Sequence, residues 1–162
     1  RGEILIQHAI NLLQPVCKSI LVSSNNQGYG KFGCPVVTDE ILNCGPLGGI
    51  YSALKKSTTD WSFVISVDCP FVTKEFIYFL SSEVKESDCL IPKHSSGLEP
   101  LVAFYHKKSI AMMEVSIMGG DFKVHNFIEN ADSKIIDVQD YVVQNPQLFK
   151  NLNSQEDLLA YP

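Results

Sequence analysis

Asp68 is the residue of this chain best suited to chemistry. It closes residues 61–67, a nearly unbroken apolar run, and stands directly before Cys69 and Pro70. Pro70 makes the chain leave a sheet along an extended path. The carboxylate therefore faces the crevice that forms where strands end. A hard cation suits it there, because Mg²⁺ prefers oxygen ligands and takes few protein carboxylates. The plain alternative is an aspartate in a strand-ending turn. Asp39 stands in a similar place, at the same edge of the sheet, after the short run at residues 35–38. Its two oxygens could accept two parallel N–H bonds. The N1–H and 2-amino group of guanine present that pair, and cytosine does not. Beside Glu40, Asp39 also reads as a surface turn. Asn153, in Asn151-Leu152-Asn153-Ser154, offers a neutral oxygen to a metal or to a metal-bound water. It serves equally well as a plain cap for the helix that follows.

A third feature is the run Gly45-Pro46-Leu47-Gly48-Gly49, read as a glycine-rich turn that opens a helix over residues 50–56. Pro46 suits a first helical position, where a missing N–H costs nothing. Gly48 and Gly49 each weaken a helix by roughly 1 kcal/mol against alanine, so something must compensate. Close approach of a ligand, with phosphate drawn to the helix N-terminus, is one reason. Tight packing of the helix on a sheet is the other.

Several chemistries are missing from the pattern. The four histidines have no metal-ligand spacing, and no Ser, His and Asp arrangement suggests acyl transfer. Neither GxGxxG nor the P-loop GxxxxGK[ST] occurs. Lys93, His94 and Lys123 could meet an acidic acceptor, or be solvated surface. The net charge of −5, with no basic run longer than Lys55-Lys56 or Lys107-Lys108, argues against nucleic acid as the main partner. No apolar stretch approaches the length needed to cross a bilayer, so no membrane is expected. Five scattered cysteines without a C-x-x-C pair point to free thiols in a reducing cytoplasm, most simply as small buried hydrophobes.

The elements that must position these residues alternate. Helices are expected over residues 4–13, 50–56, 73–84, 107–118, 121–129 and 155–161. Strands are expected at 19–23, 35–38, 61–67, 88–92, 98–105 and 134–138. The run at 61–67 has the composition of a strand covered on both faces. The 162 residues fit a single domain. The alternation implies an α/β fold of three layers with a mostly parallel sheet, and such sheets bind ligands at the carboxyl ends of their strands. Arg1-Gly2-Glu3 leads straight into a helical pattern with no initiator Met and no preceding strand. The expectation is that the natural chain starts earlier.

Taken in order, Gly45-Pro46-Leu47-Gly48-Gly49-Ile50, then residues 63–72 around Asp68-Cys69-Pro70, then Glu99-Pro100-Leu101-Val102-Ala103, then residues 151–158 resemble the molybdenum cofactor guanylyltransferases, the MobA-like proteins. The resemblance covers essentially the whole chain. The G-P-L-x-G turn and D-x-P strand end are shared by several nucleotidyltransferases, while the closing N-x-N-x-x-x-D/E-L favours this group. The resemblance implies a three-layer α/β/α, Rossmann-like nucleotidyltransferase fold and transfer of GMP from GTP to molybdopterin, with release of pyrophosphate. It implies Asp68 as the Mg²⁺ ligand, with Asn153 near the metal and the phosphates. Asp39 then helps to bind guanine, and Ser23 falls where the family usually has an asparagine in the nucleotide pocket. Gly45, Pro46, Leu47 and Gly48 line the nucleotide. Glu99 stands where His or Gln is common. The family begins with a strand and an L-A-G-G loop, closed by an Arg and a Lys that hold the triphosphate, and the match here starts just after them. A labile acceptor such as molybdopterin implies handover from another protein. A cytidylyltransferase of the same fold and a non-catalytic nucleotide-binding domain are the alternatives.

Overall fold

The computed structural model describes residues 2–152. Helix α1, Gly2–Leu13, buries Leu5, Ile6, Ala9, Ile10, Leu12 and Leu13 along one stripe and ends just before Pro15. The chain then forms two sheets. Strands β1, Val22–Ser23, and β2, Val36–Val37, pair in parallel. A 3-10 helix, Gln27–Phe32, capped by the side chain of Asn26, joins them. Helix α2, Gly45–Lys56, leads to β3, Trp61–Ile65, and Thr73 caps α3, Lys74–Ser82, through its hydroxyl.

The larger sheet is built from β3, β4 (Cys89–His94), β5 (Gly97–Leu98), β6 (Val102–His106) and β7 (Ser133–Asp137). Strand β6 lies between β3 and β4 and runs against both, while β7 runs parallel to β4. Helices α4 (Ile110–Met118), α5 (Val124–Asn130) and α6 (Gln139–Gln144) complete the order.

Alternation along β4 and β6 sorts the core into two halves. Cys89, Ile91, Ala103 and Tyr105 face α2, α4 and α5. Leu90, Val102 and Phe104 face the other way, toward α1, α3 and Leu148. The three layers expected from the sequence are therefore present.

The mostly parallel sheet is not. Among the described residues, β3 with β6, β4 with β6 and β4 with β5 are antiparallel pairs. The reason is local. A two-residue turn reverses β4 into β5, and only residues 99–101 separate β5 from β6. A parallel neighbour needs a crossover of a dozen residues or more. The strand at residues 61–67 also differs from expectation. All five residues of β3 are only half-buried, and the fully covered strands are β4 and β6. Gly45 through Gly49 form the first turns of α2 itself and do not precede it. Helix α6 had no counterpart in the sequence reading, and the strand expected at 98–105 is divided into β5 and β6. The helix expected at 155–161 lies outside the described residues.

Candidate functional site

A cavity of about 450 Å³ separates the two sheets. Residues 19–25 line it on one side and residues 62–67 on the other. Ile6, Ile10 and Leu13 of α1 and Gly49, Ile50 and Ala53 of α2 also line it. Among the described residues β1 pairs only with β2, and β3 only with β6. The cavity is thus a slot bordered by two strands, each with a side that carries no partner strand, in company with residues of two helices.

Asp39 and its neighbours form one wall of this slot. Asn25 Nδ2 donates to Asp39 Oδ2 at 3.1 Å, and the Asp39 N–H donates back to Asn25 Oδ1 at 3.0 Å. The next N–H, of Glu40, donates to Ser52 Oγ at 2.9 Å, which ties the loop to α2. Gly49 brings the helix in close: a Cβ there would lie 2.9 Å from Ser23 Oγ and 3.7 Å from Asp39 Oδ1. Ser23, Asn25, Asp39, Gly45, Pro46 and Gly49 therefore converge on one surface. Asp39 Oδ1 accepts no hydrogen bond among the described residues, and Oδ2 retains a second acceptor position.

The glycine run divides in function. Gly45, Pro46 and Gly49 line the slot, and Leu47 and Gly48 do not. The Leu47 side chain is wholly buried in the core. A Cβ on Gly48 would lie 2.8 Å from the Cys44 Cβ, so that glycine serves close packing of the helix on its own entry loop. Gly48 thus serves packing, while Gly49 brings the helix close to Ser23 and Asp39 at the slot.

Asp68 sits just beyond Val67, the last residue of the opposite wall. Its loop is a tight turn, with the Cys69 N–H donating to the Ser66 carbonyl at 3.1 Å. The Leu152 N–H donates to the Asp68 carbonyl at 2.9 Å. The carboxylate is half-buried and accepts no hydrogen bond among the described residues. Neighbouring Cys69 is buried, and its thiol donates to Asn151 Oδ1 at 3.0 Å. Burial, then the carboxylates of Glu99 and Asp68, push that thiol up to about 12. Among the described residues no three His, Cys, Asp or Glu side chains gather as a metal cluster. A carboxylate without a hydrogen bond fits a cation that takes one or two protein carboxylates and fills its shell with phosphates and water. Asn153 lies outside the described residues. Among the described residues that line the slot none is Lys or Arg, so these provide no cationic side chain for phosphate.

Sequence reasoning missed Asn25, Asn151 and the pair His94–Glu99. Asn25 opens the turn-like run Asn25-Asn26-Gln27-Gly28. Its signal is a side-chain amide two residues after Ser23, within reach of a second strand end.

The chain matches the family described as the MobA-like NTP transferase domain over residues 1–134. The chain belongs to that family. A protein of Pyrococcus furiosus named probable molybdenum cofactor guanylyltransferase is 34% identical over 165 residues, spanning 97% of this chain and 82% of that protein. The molybdenum cofactor guanylyltransferase of Vibrio cholerae is 29% identical over 163 residues, spanning 99% of this chain and 78% of its own. The crystal structure of molybdopterin-guanine dinucleotide biosynthesis protein A from Archaeoglobus fulgidus superposes with a TM-score of 0.80 at 24% identity, covering 96% and 82% of the two chains. That likeness shows the fold of this MobA-like domain. No described helix is long and apolar enough to cross a membrane.

Proposed function

We propose that this MobA-like chain transfers GMP from GTP to molybdopterin, releasing pyrophosphate. The observation that carries the proposal is the wall formed by Ser23, Asn25, Asp39 and Gly49, facing strand β3, whose following turn carries Asp68. Asp39 is the base reader. Its carboxylate is held on edge by Asn25 and keeps acceptor positions for the N1–H and 2-amino group of guanine. Gly49 leaves space beside it that any side chain would fill.

A phosphate oxygen of molybdopterin attacks the α-phosphorus of GTP in line, the new P–O bond forms, and the bond to the β-phosphate oxygen breaks. No protein nucleophile takes part. Two anions must meet, so positioning and charge neutralisation dominate. Asp68 would hold Mg²⁺, with Asn153 as a neutral partner, and when bound the ion supplies positive charge to the α-phosphate and the departing pyrophosphate. The N-terminal turn of α2, at Gly45 and Pro46, presents its positive end to the phosphates. Free thiols at all five cysteines accord with work in a reducing cytoplasm. A labile acceptor is best delivered by handover from a second protein.

Calorimetric titration of GTP and CTP with Mg²⁺, into protein made from the complete reading frame, tests the reading. GTP binds, CTP binds much more weakly, and Asp39→Ala weakens GTP by about tenfold or more, close to 1.4 kcal/mol. A preference for CTP moves the chain to cytidylyl transfer. Absence of binding by either nucleotide defeats the enzyme reading.

A further inference from the structure

We propose that His94 and Glu99 are positioning residues for Asp68, forming a latch that holds residues 148–152 against the end of β3. The proposal rests on Asp68 serving the reaction described above. Its geometry starts at the hairpin. His94 Nε2 and Glu99 Oε1 lie 2.8 Å apart, with side chains 8% and 26% exposed. The Ser96 N–H points at His94 Nδ1 from 3.4 Å. That contact assigns the proton to Nε2, which donates to Glu99.

Phe149 connects the hairpin to the site. Its ring stacks on His94, centroids 5.0 Å apart and planes 14° from parallel, and meets Phe76 edge-on at 5.5 Å. Leu148 beside it is buried. Two residues further on, Asn151 accepts the Cys69 thiol proton at 3.0 Å, and the buried Leu152 donates its N–H to the Asp68 carbonyl at 2.9 Å. Within its own turn, the Asp68 N–H donates to Ser66 Oγ over a long 3.4 Å, and the Cys69 N–H donates to the Ser66 carbonyl at 3.1 Å. The bond from Leu152 is the shortest of these three and comes from outside the turn, three residues after Phe149, whose ring stacks on His94.

The hairpin is itself anchored. The Ser95 N–H donates to Gln139 Oε1 at 2.8 Å, the Glu99 N–H to the Pro92 carbonyl at 2.9 Å, and the buried Tyr105 hydroxyl to the Pro100 carbonyl at 2.8 Å. An anchored hairpin, a stacked ring and a two-point attachment around Asp68 form a continuous physical link. A displacement of the carboxylate by an ångström is enough to slow a reaction that depends on placement.

The test uses the complete protein and two readouts: hydrogen exchange at the Leu152 amide, which needs neither nucleotide nor metal, and steady-state kinetics with GTP and molybdopterin. Glu99→Ala speeds Leu152 exchange by about tenfold or more while the amides of β4 and β6 keep their protection. It lowers kcat by about tenfold and leaves KM for GTP within about twofold. Glu99→Gln removes the same charge and still accepts from His94, so it restores both readouts to within about threefold of the parent. Should Glu99→Ala loosen β4 and β6 as well, His94→Gln serves in its place, since it keeps a donor for Glu99 and loses the ring on Phe149. Unchanged exchange at Leu152 overturns the latch, and so does Glu99→Gln behaving like Glu99→Ala. Faster exchange with unchanged kcat overturns the positioning role. A parent chain without activity, whose Leu152 still answers to Glu99→Ala, overturns the guanylyltransferase reading and leaves the latch standing.

Discussion

Asp39 and Asp68 are both carboxylates at strand ends, and the fold holds them in opposite ways. Asp39 is fixed by two reciprocal hydrogen bonds to Asn25, which suits the base-reading role proposed for it. Asp68 is fixed through its backbone, and its carboxylate is left without a hydrogen bond among the described residues. Asp68→Ala therefore removes little that the fold depends on. Turnover, followed as pyrophosphate release, falls by about 10³-fold or more, as for loss of a principal charge-stabilising group. The melting temperature stays within about 2 °C, as for a partly exposed side chain with no packing role. A melting temperature that drops sharply, or turnover that survives, would remove Asp68 from the metal. The positions of both aspartates, each just after a strand, were legible in the sequence because the apolar runs before them mark the strands. Asn25 was not, since its meaning depends on a contact fourteen residues away that only the parallel pairing of β1 and β2 creates.

Helix α2 shows why one pattern can carry two jobs. Gly48 and Gly49 are adjacent, yet they face different neighbours. A Cβ at Gly48 would come within 2.8 Å of the Cys44 Cβ and 3.4 Å of the Ile41 carbonyl oxygen. Neither can swing aside without moving backbone. Alanine gains about 1 kcal/mol of helix propensity there, and overpacking costs about 1–3 kcal/mol. Gly48→Ala is expected to lower stability by about 1 kcal/mol net in urea unfolding. At Gly49 the nearest atom is Ser23 Oγ, which can rotate away. Gly49→Ala gains the same helix propensity, about 1 kcal/mol, offset in part by the rotation of Ser23, so it does not lower stability, yet it places a methyl on the slot wall between Ser23 and Asp39. Its larger effect is on GTP titration. Equal stability losses in the two variants would contradict this division. The glycines were visible in the sequence as a cost needing compensation, but which neighbour supplied the reason was not. The same limit applied to β3. Its composition is that of a covered strand, and its half-burial comes from the slot beside it, a feature of tertiary assembly.

At the scale of the whole molecule, the three layers were legible from alternating helical and strand periods, whereas strand direction was not fully read. The turn at residues 94–97 already required a reversal, and that reversal makes the sheet mixed. The layered core sets the response of the protein to alkali. Cys89 and Cys69 are buried in clusters on opposite sides of the sheet. Burial pushes the Cys89 thiol up to about 11, with the Ser133 hydrogen bond opposing the shift, and the Cys69 thiol up to about 12. An unfolded thiol ionises near 9.0. Below that value both states hold the proton and stability is unaffected. Above it the unfolded chain releases the proton while the fold retains it, so stability falls as pH rises from about 9 toward about 11 for Cys89 and about 12 for Cys69. Tyr105, its hydroxyl raised by burial, adds the same sense of change above its ordinary value of 10.0. Each thiol contributes at most about 1.4 kcal/mol per pH unit within its window. Cys89→Ala lacks that term and instead loses packing at every pH. The stability gap between parent and Cys89→Ala, measured by urea unfolding, is therefore constant from pH 7 to 8 and narrows from pH 9 to 11. Parallel stability curves over that range would mean that the thiol ionises in the fold as readily as it does outside.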